Sequence, residues 1–468
     1  MNWSWTAERE YWAWEIPKLW RVGKWVLLAV ILLSFVGMIP GVGQVMNLLL
    51  VSIPVAAIVR RIIAVRHFDQ IAHKRWQART SKWIRENWTG LARNLRLEVR
   101  DVAGNPVVAG VGRPVWSDWS CVVPVALPAG LVREDLVAAT GHIAQALGAV
   151  RVTVVGDRIG ALALRVEYVD VLGQPFSFPL GGAWDGKTVL MGVTESGAEW
   201  RMPIGPHTLV AGSSGSGKAS LVWGLLLGLA QPIHKGLIEV WGIDRKGGME
   251  LAMGRDLLTR FADDAAHSVV LLEEAVEQMQ ARARSLAGHT RQHTASIDSP
   301  TVIVLIDELA ALTAYETDRD MLRRANAAIA TLASQARAVG FVLFACLQDP
   351  RKETLPARGL FTQTVGLRLR DRIETAMVLG DGAVAAGALC HEISPTTPGM
   401  AYVLPETGAA PERVRAAFAP DEQIREAALA YFAPHPRPVT VPVQEEEPAP
   451  RRTRTRRPRK NTEQQEES

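Results

Sequence analysis

The stretch Gly212–Ser220 reads GSSGSGKAS. Its glycine spacing and lysine follow the phosphate-binding pattern G-x-x-x-x-G-K-[ST], except that Ala219 stands where the pattern has a hydroxyl. Before it, HTLVAG (207–212) reads as an apolar strand; after it, LVWGLLLGLA (221–230) reads as a helix. In that order, glycines let backbone N–H groups close around phosphate oxygens, and the helix N-terminus adds its dipole. Lys218 would reach the β- and γ-phosphates. An ordinary Gly/Ser turn opening a helix is the alternative, and the loop alone does not separate the two.

A second stretch does. TVIVLIDELA (301–310) is an apolar strand ending in Asp307 and Glu308. Two carboxylates at the end of a buried strand are costly to place without a role. Asp307 is suited to hold Mg²⁺, directly or through water, and Glu308 to orient and activate an attacking water. A third apolar strand, FVLFACLQD (341–349), ends in Gln348, a position that suits a polar sensor of the γ-phosphate. Ser220 lies one residue beyond the missing hydroxyl, about 100° around the helix. It or water would supply the oxygen that Ala219 lacks. The expected site is therefore Gly212, Ser213, Ser214, Gly215, Ser216, Gly217, Lys218, Ala219 and Ser220 around the phosphates, with Ser220 and Asp307 on the metal.

The remaining chain sets this site in a larger frame. A length of 468 residues corresponds to about three domains. Cys121, Cys346 and Cys390 are scattered, without disulfide or metal spacing, which suits a reducing compartment. The net charge of +4 is mild but unevenly spread. Residues 1–24 are rich in Trp and form an expected interfacial segment. From Trp25 to Val59 there is no charged residue, and Pro40-Gly41-Val42-Gly43 interrupts the run. This predicts a transmembrane helical hairpin over 25–63; Lys18, Arg21 and Lys24 precede the uncharged run and Arg60, Arg61 and Arg66 follow it, so that both ends lie in the cytoplasm. A single deep span or a re-entrant loop is the alternative.

Residues 64–96 read as a basic stalk helix, with Ile84, Trp88, Leu91 and Leu95 at helical spacing. Lipid headgroups or packing are its expected partners, with nucleic acid the alternative. Residues 97–200 predict a small α+β module, an assembly or adaptor domain. Residues 201–433 alternate strands and helices as an α/β domain with a mainly parallel sheet does. Residues 434–468 read as a disordered basic tail, whose partner is DNA phosphate, lipid or solvent.

These pieces resemble the FtsK/SpoIIIE family of DNA translocases over roughly 205–405. IEVWGIDRKGGMEL (238–251) is similar to its D-P-K and E-L segment, with Asp244, Lys246, Glu250 and Leu251 matching and Arg245 replacing the proline. LASQARAVGFVLFACLQDP (332–350) is similar to A-R-A-x-G-x-x-L-x-x-A-T-Q-x-P, with Leu347 for Thr. TVGLRLRDRIETAMVLG (364–380) resembles F-R-V-S-S-x-x-D-S-R-x-I-L. A loop ending G-K-[GA]-S resembles that of the single-motor, membrane-anchored plasmid-transfer proteins of actinomycetes.

The resemblance implies a RecA-like P-loop ATPase fold, ATP and Mg²⁺ as cofactors, a homohexameric ring at the cytoplasmic membrane, and double-stranded DNA in its pore. It also implies a catalytic set of Lys218, Glu308 and Gln348 plus a neighbour's arginine, Arg368 first and Arg370 or Arg372 after it. Arg351, Lys352 and Arg358 are candidate DNA contacts. Transfer or cell-envelope proteins are possible further partners. Residues 406–433 are too short for the family's winged-helix domain. The competing expectations are a protein-secretion ATPase and a nucleotide-binding membrane scaffold without turnover.

Overall fold

The computed structural model describes residues 70–156, 162–178, 184–351, 358–408 and 410–441. The expected interfacial segment and hairpin (1–24 and 25–63) and the tail beyond 441 lie outside the described residues. No helix among the described residues is long and apolar enough to cross a membrane. The chain forms two compact units, Met1–Val171 and Leu172–Ser468.

In the first unit a helix runs from residue 70 through 94. Strands β1 (Glu98–Arg100) and β2 (Pro106–Val108) form an antiparallel hairpin after it. A second sheet holds β3 (Gly110–Val111), β4 (Val115–Ser117), β5 (Ser120–Ala126), β6 (Arg151–Val155) and β7 (Ala163–Glu167). Its order is β3-β5-β7-β6, with β4 also on β5. The helix Arg133–Leu147 presents Leu136, Ala139 and Ile143 inward, and Gly148 closes it in the left-handed conformation that glycine adopts without strain.

The apolar face of helix 70–94 is part of this core. Ile84 and Trp88 are buried beside Leu136, Val123 and Val166, and Trp88 Nε1 donates to Ala109 O at 2.6 Å. Of the partners expected for this helix, packing is the one seen here, through its Ile84–Trp88 stripe. Each fully buried aliphatic side chain of this kind contributes about 1.5–3 kcal/mol.

The second unit is built on one ten-stranded sheet. Its strands are β8 (Thr188–Thr194), β9 (Glu199–Pro203), β10 (Thr208–Ala211), β11 (Ile238–Ile243), β12 (Arg260–Ala262), β13 (Thr301–Ile306), β14 (Phe341–Leu347), β15 (Gln363–Gly366), β16 (Met400–Leu404) and β17 (Glu412–Ala416). The order is β12-β11-β13-β14-β10-β15-β16-β17-β8-β9, parallel from β12 through β15 and antiparallel from there to β9. All seven residues of β14 are buried, as a central parallel strand covered on both faces must be.

Strand periodicity divides the core. Val210, Val240, Leu305 and Phe344 face one layer with Leu221 and Leu225 of helix Lys218–Gly228. Their neighbours Leu209, Trp241, Val304 and Leu343 face the other, with Leu272 of helix Ala265–Leu286 and Leu332 of helix Arg319–Gln335. This is an α/β P-loop fold with a mostly parallel sheet.

Two limits differ from those read in the sequence. The expected boundary at 200 falls inside the second unit, because β8 pairs with β17, with Val414 opposite Thr194. Gly192 permits that pairing, since a Cβ there would overlap the Arg415 carbonyl oxygen. At the other end, residues 434–439 are packed rather than free. Arg437 N–H donates to Thr259 O at 2.8 Å, its guanidinium lies 2.9 Å from Glu239, and Val439 joins the core.

Candidate nucleotide site

The glycine loop leaves the end of β10 and is held on both flanks by neighbouring strands. Gly212 N–H donates to Leu347 O at 3.0 Å, at the end of β14. Ser213 donates through both its N–H and its Oγ to Arg368 O, each at 2.9 Å, beyond β15. Gly217 opens helix Lys218–Gly228 at φ 95°, a conformation that favours glycine. A Cβ on Gly217 would overlap the backbone nitrogen of Gly399. Among the described residues, the N–H groups of Ser214, Gly215, Gly217, Lys218 and Ala219 donate to no protein acceptor, and no side chain caps the helix. The result is a concave row of donors at a helix N-terminus, the arrangement that binds phosphate.

Lys218 folds back over this row. Its Nζ lies 2.6 Å from Gly212 O and 3.3 Å from Ser213 O. Burial holds its pKa below the ordinary lysine value, with the charge of Lys246 adding to that and Glu308 and Asp307 opposing it. Ala219 is exposed and Ser220 half-buried. The hydroxyl of Ser216 is buried without a hydrogen-bond partner, so it is the loop's one orphaned side-chain oxygen among the described residues.

The strand order places the chemistry beside the loop. In register, Ala211 of β10 lies opposite Leu347 of β14, and Ala345 of β14 opposite Ile306 of β13. The next residues, Gly212, Gln348 and Asp307, therefore emerge along one edge, with Gln348 between loop and carboxylates. Asp307 and Glu308 are 4% and 6% exposed. Glu308 Oε1 accepts the Gln348 N–H at 3.3 Å. Burial raises the Glu308 pKa above the ordinary value; the Gln348 N–H and the Lys246 and Lys218 charges oppose that without cancelling it.

Asp244, named in the sequence only as part of the family text, organises the floor of the site. It is fully buried at the end of β11, and its carboxylate accepts N–H groups from Lys246 (3.0 Å), Glu250 (2.8 Å) and Leu251 (3.0 Å). This turn delivers Lys246, whose Nζ donates to Asp307 Oδ2 at 2.7 Å. Arg245, in place of the family's proline, pairs with Glu316 at 3.0 Å. Sequence reasoning left Lys246 out of the site; the signal was its place two residues after a strand-end aspartate.

The arginines divide. The Arg368 guanidinium donates to Ser214 O of its own loop at 2.8 Å. Arg370 lies 3.7 Å from Glu374, and Arg372 is exposed at the start of helix Arg372–Leu379. Arg351 is paired with Asp349, Lys352 lies outside the described residues, and Arg358 sits in a short 3₁₀ turn.

The loop's free donors at a helix N-terminus fit a nucleotide's phosphates. No group of three or more His, Cys, Asp or Glu side chains suited to a metal exists among the described residues. Asp307 alone fits a Mg²⁺ that takes most of its oxygens from phosphate and water.

Fold and site together define a P-loop ATPase domain. Residues 175–300 match the model of the FtsK/SpoIIIE family. The DNA translocase FtsK of Sporosarcina ureae is 26% identical over 243 residues, covering 47% of this chain and 29% of that protein. The DNA translocase FtsK of Lactococcus lactis subsp. cremoris (strain MG1363) is 27% identical over 224 residues, covering 42% and 28%. The matched region thus spans less than a third of either relative. Among solved structures, the pCW3 conjugation coupling protein TcpA in its monomer form with ATPgS is similar at a TM-score of 0.51 and 17% identity. That likeness covers 74% of this chain and 98% of that one, and it is one of fold.

Proposed function

We propose that this chain is an ATP-driven motor that translocates double-stranded DNA at the cytoplasmic membrane, in conjugative transfer of a plasmid or integrative element. The observation that carries the reading is the alignment of Lys218, Gln348 and the Asp307–Glu308 pair along the ends of β10, β14 and β13. The family match and the fold likeness to a conjugation coupling protein support it.

In this reading the N–H groups of Ser214–Ala219 bind the phosphates of ATP, and Lys218 turns from Gly212 O to the β- and γ-phosphates. Asp307 and Ser220 would hold Mg²⁺, which would supply neutralisation of phosphate charge. Glu308 orients the attacking water and takes up its proton, a task to which a burial-raised pKa is suited. Gln348 reports the γ-phosphate through its neighbour Glu308. Six copies form a ring, and an arginine from the adjoining copy meets the developing charge. The uncharged run Trp25–Val59 forms the membrane hairpin, with the N-terminus and the motor on the cytoplasmic side.

The test is ATP turnover by the full chain with double-stranded DNA, single-stranded DNA, a secreted peptide or no addition. Stimulation by double-stranded DNA alone is expected. Stimulation by the peptide instead would assign the chain to secretion, and no turnover in any arm would leave a scaffold.

A further inference from the structure

Lys246 occupies the Asp307 carboxylate, the group that would hold a metal here. Its Nζ sits 2.7 Å from Asp307 Oδ2, with Asp307 almost wholly buried and Lys246 half-exposed, so the ammonium covers the carboxylate from the solvent side. Lys218, the other cation of the site, is engaged elsewhere, on Gly212 O. Lys246 is held in place from its own backbone. Asp244 accepts its N–H and those of Glu250 and Leu251, and the adjacent Arg245 is tied to Glu316, itself mostly buried. With Ala219 in place of the loop hydroxyl, Asp307 is the one carboxylate among these side chains suited to the metal. Two cations on one carboxylate repel each other, so Lys246 and a Mg²⁺ compete for Asp307.

We propose that Lys246 is a metal-displaced latch: it caps Asp307 until Mg²⁺ arrives with nucleotide, and is released by that exchange. This rests on the nucleotide-site reading above. The latch is a positioning device on this chain's own carboxylate, not a phosphate ligand. No bond is made or broken in the exchange. One cation leaves Asp307 Oδ2 as another arrives, and the freed ammonium passes to solvent.

The experiment uses the full chain and a fluorescent ADP analogue, titrated with Mg²⁺ at fixed nucleotide, for wild type, Lys246→Met and Lys246→Arg. Fluorescence anisotropy reads binding without turnover. The latch predicts a half-saturating Mg²⁺ concentration about two- to fivefold lower in Lys246→Met, the range that an ion pair of this exposure contributes. Lys246→Arg keeps the cation and stays near wild type. The same titration with a non-hydrolysable ATP analogue should show the same shift. An unchanged or higher Mg²⁺ requirement in Lys246→Met overturns the latch. So does a loss of affinity confined to the ATP analogue, which would make Lys246 a γ-phosphate ligand. Wild-type chain that binds neither nucleotide at any Mg²⁺ concentration overturns the nucleotide-site reading and the latch with it. Wild-type binding with no shift in the variant overturns the latch alone.

Discussion

Gly217 and Gly399 meet backbone to backbone: a Cβ on Gly217 would overlap the nitrogen of Gly399, and Gly399 N–H in turn donates to Ser216 O at 2.9 Å. The loop is thus braced from behind by the turn that leads into β16. Gly217→Ala combines that overlap with a positive φ. It is expected to destabilise the second unit by about 1–3 kcal/mol and to abolish nucleotide binding. Chemical unfolding and nucleotide titration of the same variant check both.

Glu308→Gln should retain nucleotide binding and lower turnover by about 10²-fold or more, the usual contribution of a positioned general base. The pH behaviour follows from the sign of the shift. Burial raises the folded-state pKa above the ordinary value of 4.5, so the native chain binds more protons than the unfolded one between the two values. The Glu308 contribution to stability therefore falls as pH rises through that window. Glu308→Gln should flatten this part of the stability–pH curve and stabilise the protein on its alkaline side. Turnover should rise with pH as Glu308 ionises, with a midpoint above 4.5. A curve of unchanged shape in the variant would refute the assignment.

Two serines separate the candidates for the missing loop hydroxyl. Ser220→Ala is expected to cost most of the Mg²⁺-dependent turnover while leaving folding intact. Ser216→Ala removes a buried Oγ that has no partner, so stability should hold or increase by about 1 kcal/mol. If Ser216→Ala is the variant that loses turnover, the hydroxyl comes from inside the loop.

Arg368 touches its own loop through Ser214 O. Arg368→Ala should therefore weaken nucleotide binding by the isolated chain, by about two- to fivefold for one exposed charge-assisted contact. Normal binding with turnover lost only in assembled protein would instead place Arg368 in the neighbour's site. Subunit mixing with Arg370→Ala and Arg372→Ala chains tests the two exposed arginines in the same way.

Much of the parallel core was legible because its signals are local. Val302–Ile306 and Phe341–Leu347 are unbroken apolar runs followed by polar residues, and a central parallel strand requires that pattern. The antiparallel end was not legible. Thr188–Thr194 reads like any half-buried strand, and only its pairing with Glu412–Ala416 assigns it to the second unit. Helix 70–94 shows its stripe in the sequence, but not the surface that covers it. Residues 434–439 look like tail by composition, yet Arg437 and Val439 find partners beside β12.

By itself, the sequence determined the loop, the carboxylate pair, the strand-end glutamine and the alternation that makes an α/β sheet. These follow from residue type and spacing along a few turns of chain. Tertiary structure decided their relations. Strand order sets Gln348 between Lys218 and Asp307, and register brings their ends to one edge. It also turned Lys246, matched in the sequence only as part of the family's D-P-K segment, into the partner of Asp307. That pairing spans residues far apart in sequence, and only the folded sheet sets the distance between them.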